Sequence, residues 1–174
     1  MLRQIIIHPD PRLKTVSDPV AEVDGALAAL IDDMLDTMYH APGIGLAAPQ
    51  LGIKTRLVVM DTANVEEGEK PRPMALINPE ILSGSDETKT YREGCLSLPD
   101  IYEDVTRPAE VRVRFVNRAG EVEELDFDGL DAVCVQHEID HLDGKLFIDY
   151  LGPIKRQLIT QKMKKLKRDR ARAL

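Results

Sequence analysis

The first regular pattern in the chain is a run of apolar residues at three- and four-residue spacing between Asp24 and His40. This spacing places the apolar side chains on one face and predicts an amphipathic α-helix. Asp24 precedes the run and suits the N-cap position, and Pro42 and Gly43 end it. The residues that follow, GIGLAAPQ at 43–50, are small and predict a tightly packed loop.

The middle of the chain is rich in predicted strands. Two segments that alternate apolar and charged residues flank the dipeptide Ala119-Gly120, which indicates a β-hairpin with one face exposed to water. The predicted strands cover residues 56–60, 74–77, 88–92, 111–116 and 121–127.

Two further helices are predicted in the last third of the chain. One begins at Asp128 or Asp131 and ends before Gly144, the residue type expected just beyond a helix. The other follows Gly152 and Pro153. Because no internal repeat is present, this order of elements predicts an α+β fold in which antiparallel β-sheets pack around the second helix, with an N-terminal helix and a C-terminal helical extension.

Composition narrows the class of protein. A length of 174 residues, with 43% hydrophobic and 30% charged residues, is typical of one globular domain and excludes disordered, collagen-like and disulfide-scaffold proteins. Two cysteines allow at most one disulfide, and no export signal is apparent, so we expect a reducing, cytoplasmic location. No charge-free run is long enough to cross a membrane.

Charge is distributed unevenly along the chain. Residues 155–174 contain nine Lys or Arg and one Asp, a balance of +8, whereas the preceding residues carry a balance of −15. We therefore expect a single domain over residues 1–153 and a basic C-terminal helix, residues 154–174, appended to the same domain. The basic helix predicts contact with an anionic partner.

The most informative motif is His137-Glu138-Ile139-Asp140-His141, on the predicted second helix. Two histidines four residues apart differ by about 40° around the helix axis and about 6 Å along it, so both rings can bind one metal ion. Glu138 lies on the adjoining flank, where it can take a proton from metal-bound water. The motif favours a metal-dependent hydrolase over a structural metal site, because structural sites normally have four protein ligands.

The third metal ligand must come from outside this motif, and two familiar protease arrangements fail. Phe147 occupies the place of a third histidine in one of them, and no Glu follows Glu138 to complete the other. A cysteine thiolate is the remaining soft ligand. Cys134 lies about 10 Å along the helix from His141, too far for a shared ion with ligand bonds of about 2.0–2.3 Å. Cys95 is therefore the favoured third ligand.

Three segments together, GIGLAAPQ at 43–50, EGCLSLP at 93–99 and QHEIDH at 136–141, resemble the bacterial peptide deformylase family, and the likeness spans nearly the whole chain. The resemblance implies a metal-dependent hydrolase that removes the N-formyl group from the N-terminal formyl-methionine of nascent polypeptides and releases formate. It implies one divalent ion per chain, Fe(II), with Zn, Ni or Co as substitutes, although two His and one Cys alone would suggest zinc. The implied metal ligands are Cys95, His137 and His141.

The resemblance also implies roles for the groups around the metal. Metal-bound water attacks the formyl carbon, with Glu138 as general base and then general acid. The side-chain amide of Gln50 and the backbone N–H of Leu96 are the implied oxyanion donors. Gly45 is implied to leave its backbone open to an extended substrate, as a strand adds to a sheet edge. The expected pocket for the methionine side chain is lined by Ile44, Leu130, Val133 and Cys134.

The expected partners are formyl-methionyl peptides and nascent chains, and the ribosome near its exit tunnel through the basic C-terminal helix; no DNA and no membrane are expected. Many relatives carry Arg where this chain has Tyr102, so that contact to substrate is not carried over. Two other functions are compatible with the residues: a general metallopeptidase, and a ribosome- or RNA-binding module with a structural metal. Peptide cleavage would identify the first, and metal-dependent formate release would exclude the second.

Overall fold

The computed structural model describes residues 1–174 as three helices and seven strands. The helices are α1 (Gly25–His40), α2 (Gly129–Leu142) and α3 (Pro153–Arg172). The strands are β1 (Gly45–Ala47), β2 (Leu57–Met60), β3 (Met74–Gly84), β4 (Thr88–Cys95), β5 (Leu98–Pro108), β6 (Val111–Val116) and β7 (Val122–Phe127). Short 3₁₀ helices occupy Pro11–Lys14, Ala48–Leu51, Val65–Glu67 and Phe147–Tyr150.

The strands form two antiparallel sheets, which confirms the predicted α+β class. The larger sheet has the order β1-β2-β3-β6-β7, and the smaller sheet pairs β4 with β5. Pairing aligns apolar side chains of neighbouring strands, for example Val58 with Leu76. These side chains form one core with α2, whose Val135 and Leu142 are fully buried. Helix α2 is therefore packed against the larger sheet.

Helix α1 has the bounds that its apolar spacing predicts. The side chain of Asp24 accepts a hydrogen bond of 2.8 Å from the backbone N–H of Leu27, so Asp24 is the N-cap. The helix ends at His40, just before Pro42 and Gly43. Its buried apolar side chains are Leu27, Ile31, Met34 and Met38.

Helix α2 begins after Asp128 and ends shortly before Gly144. Gly144 has a φ of +76°, and a Cβ there would lie 2.7 Å from the carbonyl oxygen of Lys14, so the position requires glycine. Asp131, the other predicted start, lies in the first turn, where its carboxylate accepts a hydrogen bond from the hydroxyl of Thr62. This bond ties the helix to the loop after β2.

Two strands differ from the sequence prediction. The segment 43–50, predicted as a loop, contains the edge strand β1, because the small residues from Gly45 onward pair with β2. Strand β5 lies outside the predicted strands. Most of its side chains are exposed or half-buried, and Leu98 and Val105 are its only buried apolar residues, so its apolar alternation is weak. The predicted strands at 74–77 and 88–92 are the first parts of longer strands.

Helix α3 packs on a second core beside the smaller sheet. Ile159 and Met163 are its buried residues. They join a cluster that includes Leu13, Leu98, Phe147 and Ile148. The helix continues to Arg172, although its residues after Leu166 are exposed. Neither α3 nor any other helix has the combination of length and apolar character that crossing a membrane requires.

His8 links the segment before α1 to α3. The ring is buried, and its Nε2 lies 2.8 Å from the hydroxyl oxygen of Thr160. Burial, together with nearby ammonium groups, lowers the pKa of His8, although one carboxylate opposes the shift. The ammonium groups are those of Lys14, Lys164 and Lys167, and the carboxylate is that of Asp149.

Candidate metal centre

Three side chains of metal-binding type converge beside α2: the thiol of Cys95 and the imidazoles of His137 and His141. Their ligand atoms all lie within 4.8 Å of one another, and Cys95 Sγ is 3.4 Å from His141 Nε2. Atoms bound to one ion at about 2.0–2.3 Å lie within roughly 4 Å of one another, so small movements suffice to bring all three to one ion. No fourth side chain joins the group, which argues against a four-ligand structural site.

The local fold explains this convergence. His137 and His141 are one helical turn apart on α2, with ring centroids separated by 5.0 Å. Cys95 ends β4, where the pairing with β5 shifts register between Gly94 and Cys95. A register shift redirects a side chain out of the regular alternation of a strand. Here the register shift lies at Cys95, whose thiol is close to His137 and His141 although these residues are more than forty positions further along the chain.

The donor atoms fit a divalent transition-metal ion. One sulfur and two imidazole nitrogens suit such ions, whereas calcium and magnesium prefer oxygen ligands. In addition, Glu138 Oε2 is buried without a hydrogen-bond partner. Buried polar atoms of this kind are rare and usually face an ion, a ligand or ordered water. The residues present are therefore compatible with a bound metal.

Glu138 occupies the position between the two histidines. Its Oε1 lies 3.8 Å from His137 Nε2 and 3.9 Å from His141 Nε2. Burial raises the pKa of Glu138 to about 7. A carboxyl group with such a pKa can accept and release a proton near neutral pH.

A buried ion-pair network lies behind His137. The Nδ1 of His137 is 2.9 Å from Glu93 Oε1. Arg107 donates two hydrogen bonds to Glu93, at 2.7 and 3.0 Å, and a third to Asp140 at 2.8 Å. The hydroxyl of Tyr150 donates to the same Asp140 oxygen at 2.7 Å. Because Glu93 holds Nδ1, the Nε2 of His137 is left to face the centre.

The sequence motifs do not reveal this network. Glu93 stands in EGCLSLP, where the pair Glu93-Gly94 indicates only a turn. Arg107 lies in β5, a strand that the apolar pattern does not predict. Asp140 is the polar residue before His141, and the motif gives it no role of its own. The one available signal is that Glu93 belongs to the same short motif as Cys95.

Burial and charge together set the protonation of these groups. Burial alone would raise the pKa of Glu93, but hydrogen bonds from His137 and Arg107 outweigh it and lower that pKa. Burial disfavours a charged His137 ring, yet its bonds to Cys95 and Glu93 raise the pKa of His137 well above the usual value. Burial, reinforced by the neighbouring His137, lowers the pKa of His141. The pKa values of the two imidazoles are thus shifted in opposite directions.

Gln50 is buried beside Cys95 in a fixed orientation. Its Oε1 accepts a hydrogen bond of 2.9 Å from the backbone N–H of Ala47. Its Nε2 donates to Ser97 Oγ at 3.1 Å and lies 3.5 Å from Cys95 Sγ. The backbone N–H of Leu96, which follows Cys95, has no acceptor within the protein. Both expected oxyanion donors therefore border the centre.

A cavity of about 1520 Å³ opens onto the centre. It is lined by Cys95, His137 and Glu138 and by all five residues expected to contact substrate, namely Ile44, Gly45, Leu130, Val133 and Cys134. A Cβ at Gly45 would lie 2.8 Å from Cys134 Sγ and 2.9 Å from Glu138 Cγ, so β1 approaches α2 through bare backbone. Burial raises the pKa of the Cys134 thiol, as expected for a wall residue outside the metal-binding group.

Comparison with known proteins assigns the family. A sequence model of the family described as polypeptide deformylase matches residues 2–157. The chain belongs to the polypeptide deformylase family. Curated peptide deformylases of Phenylobacterium zucineum and Bartonella tribocorum are 55% and 54% identical to it over 164 residues, which is 94% of this chain and 96% and 92% of theirs. The crystal structure of a peptide deformylase from Legionella pneumophila matches it with a TM-score of 0.90 and 45% identity, over 99% of each chain.

The family assignment confirms the resemblance seen in the sequence. Peptide deformylases are metal-dependent hydrolases, and two antiparallel sheets with three helices are the deformylase fold. The matched range includes EGCLSLP and QHEIDH, which carry all three converging side chains. It ends at Gln157, so most of α3 lies beyond the matched residues.

Proposed function

We propose that this deformylase removes the N-formyl group from the N-terminal formyl-methionine of nascent polypeptides and releases formate, with Cys95, His137 and His141 holding one divalent metal ion. The observation that carries the proposal is the convergence of these three side chains around the carboxylate of Glu138, on the wall of a large cavity. Membership of the family supplies the reaction, and the geometry supplies a candidate for each role.

We propose Fe(II) as the ion in the cell, the ion that the resemblance to the family implies. Zn, Ni or Co are the proposed substitutes, because a thiolate and two imidazoles suit all of these ions. When bound, the ion supplies Lewis-acid activation of the water and of the formyl carbonyl group. Metal analysis after anaerobic purification, with formate release measured on the same sample, tests its identity. Activity that follows iron content supports Fe(II), and full activity in an iron-free zinc sample contradicts it.

Glu138 is the proposed proton carrier. It takes a proton from the attacking water as the water oxygen bonds to the formyl carbon, and it delivers that proton to the amine nitrogen as the C–N bond breaks. The products are formate and a polypeptide with a free N-terminal methionine. Burial of the carboxylate, with Oε2 free of any hydrogen bond, supports this role because no other donor competes for the oxygen.

Gln50 and Leu96 are the proposed donors to the oxyanion of the tetrahedral intermediate. The bond from Ala47 to Gln50 Oε1 fixes which end of the amide faces Cys95, so the N–H group is already oriented before substrate binds. Preoriented donors of this type stabilise developing negative charge without reorganisation during the reaction.

The residues that line the cavity support selection of formyl-methionine. Ile44, Leu130, Val133 and Cys134 offer an apolar wall for an unbranched side chain. Gly45 lies against Glu138, and we expect crowding around the metal to exclude the extra methyl group of an acetyl substrate. We therefore expect formyl-methionyl peptides to react much faster than acetyl-methionyl or unblocked ones, and equal rates for acetyl-methionyl peptides would contradict the assignment.

The proposed function is tested with Glu138→Gln, which keeps the size of the side chain and all three metal-binding residues. Formate release from a formyl-methionyl tripeptide should fall by about 10²- to 10⁴-fold, the usual contribution of general acid–base catalysis, while the metal content stays unchanged. Glu121→Gln, at an exposed position beside the β6–β7 turn, is the matched control and should retain normal activity. Near-normal turnover by Glu138→Gln would refute the mechanism.

We also propose that α3 binds the ribosome near the exit tunnel. Of the nine basic residues in 155–174, only Lys155 forms an ion pair, with Glu103 at 3.0 Å. The other eight form no ion pair, and those that face away from the body are free to bind phosphate groups, whereas the acidic remainder of the chain repels RNA. This arrangement would orient the chain with α3 toward the ribosome.

Replacing three outward-facing cations tests the ribosome proposal without disturbing the core of α3. The variant Lys165→Ser, Arg168→Ser, Arg172→Ser leaves Ile159 and Met163 packed. Co-sedimentation with ribosomes should weaken strongly and become less sensitive to salt, while formate release from a formylated tripeptide is retained. Unchanged ribosome affinity in this variant would rule out the proposed contact.

A further inference from the structure

We propose that Lys167 and Arg170, near the end of α3, form a second recognition site for the substrate chain that selects acidic residues downstream of the formyl-methionine. The inference rests on the proposed function, because the occupant of this site is the same formylated polypeptide. In this proposal Lys167 and Arg170 bind the peptide, whereas the basic residues on the outward face of α3 contact the ribosome.

The cavity that contains the catalytic groups extends to α3. Gly45, Cys95 and Glu138 line one part of it, and Lys167 and Arg170 line another. Its volume of about 1520 Å³ exceeds the roughly 300–1,000 Å³ of ordinary small-molecule sites. A formyl-methionyl group therefore occupies only part of the cavity, and later residues of the polypeptide can occupy the rest.

The N-terminal segment of the chain also lines this cavity. All of residues 2–7 are among its lining residues. The segment is held in place by backbone hydrogen bonds from Ile6 to Gln50 at 2.7 Å and from His8 to Ser97 at 3.0 Å. It therefore provides a fixed, partly apolar surface within the cavity, along which a bound polypeptide can lie.

Lys167 and Arg170 lie on the inward face of α3. Met163 is buried at 3% exposure and marks the side of the helix that faces the body. With 3.6 residues per turn, positions 167 and 170 lie about 40° and 20° from Met163 around the helix axis. Arg168 and Arg172 lie about 140° and 180° from it and face away. The basic residues of α3 thus form two separate surfaces.

Neither cation on the inward face forms an ion pair within the protein. Asp10 lies close enough to Lys167 for the ammonium group to act on its pKa, but its carboxylate is held by Arg12 at 2.7 Å. The nearby guanidinium of Arg12 holds the pKa of Asp10 at about 2, so this carboxylate stays ionised and paired with Arg12. Two unpaired cations on a cavity wall attract carboxylate side chains of a bound peptide.

The test uses a series of nonapeptides that all begin with formyl-Met-Ala. Each peptide carries two adjacent Asp, Ser or Lys residues, and the pair is moved along the peptide from positions 4–5 to positions 8–9. Where the pair reaches the proposed site, Asp should raise kcat/KM about two- to fivefold over Ser by lowering KM, and Lys should lower kcat/KM. The preference should vanish at about 1 M salt, where the screening length is near 3 Å.

The variant Lys167→Ser, Arg170→Ser should bring the ratio of kcat/KM for the Asp peptide to kcat/KM for the Lys peptide close to one. The control variant Arg168→Ser, Arg172→Ser should keep the ratio of the unmodified protein.

The outcomes separate this inference from the proposed function. Formate release from formyl-Met-Ala-Ser by the unmodified protein tests the function, because this tripeptide is too short to need the second site. Normal tripeptide turnover with equal rates for the Asp, Ser and Lys nonapeptides would overturn the second site alone. If Lys167→Ser, Arg170→Ser weakens ribosome binding but keeps the peptide preference, the two cations belong to the ribosome surface and the inference is wrong.

Discussion

Replacing Gly45 by alanine should move the proposed proton carrier without touching any metal-binding residue. The new Cβ would lie 2.8 Å from Cys134 Sγ, and 2.9 and 3.0 Å from Cγ and Cδ of Glu138. Non-bonded carbon atoms prefer about 3.5–4.0 Å, so each contact is too short by roughly 0.5–1 Å. Gly45 pairs with Met60 at the edge of the larger sheet, which leaves Glu138 and Cys134 as the groups that must move.

The expected size of the effect follows from this overlap. Overpacking a tight contact costs about 1–3 kcal/mol of stability. A displacement of a reacting group by about 1 Å can lower the rate by about 100-fold. We therefore expect Gly45→Ala to lower kcat for a formyl-methionyl tripeptide by about 10- to 100-fold, with metal content unchanged. Gly45 does not have a positive φ, so backbone strain adds nothing to this loss.

Formate release, metal analysis and thermal unfolding on the same samples provide the assay. Gly25→Ala is the matched control, since no atom lies within 4 Å of a Cβ at that position. Adding Cys134→Ala to Gly45→Ala removes the sulfur contact and should recover part of the stability but little of kcat, because the overlap with Glu138 remains. Wild-type kcat in Gly45→Ala would show that the position of Glu138 is not critical and would refute the reasoning.

Three other predictions concern the two cysteines, the ion pair of Arg107 with Glu93, and the buried ring of His8. Cys95→Ser should strongly weaken metal binding, whereas Cys134→Ser should chiefly disturb packing and KM; metal titration of both variants checks this, and the reverse pattern would overturn the ligand assignment. Arg107→Met leaves the carboxylate of Glu93 buried without its partner, so thermal unfolding should show a loss of about 3–5 kcal/mol, and Arg107→Lys should lose less. Burial lowers the pKa of His8, so below about pH 6.5 the unfolded chain binds the proton that the folded ring excludes, and stability falls as pH falls. His8→Gln should therefore show a smaller drop in Tm between pH 7.5 and 5.5 than the unmodified protein, and an equal drop would exclude His8 as a source of the acid sensitivity.

Sequence patterns were sufficient for features that depend on one segment of the chain. The bounds of α1 follow from its apolar spacing and from Asp24 as the N-cap, and the structure contains this helix with Asp24 at its N-cap. The spacing of His137 and His141 is likewise a property of one helix, so their proximity could be predicted before any tertiary structure was known. Cys95 could be proposed only by eliminating other ligands and by resemblance to a family motif.

The surroundings of the metal-binding group depended on distant segments. Glu93, which indicates only a turn in the sequence, is buried against Arg107 of β5 and orients His137. The close approach of Gly45 to Glu138 likewise joins β1 to α2. Helical spacing is set by backbone geometry within a few residues, so the sequence alone determined it. Whether a charge is buried and which group neutralises it depend on the segments that pack over it, and only the tertiary structure decided that.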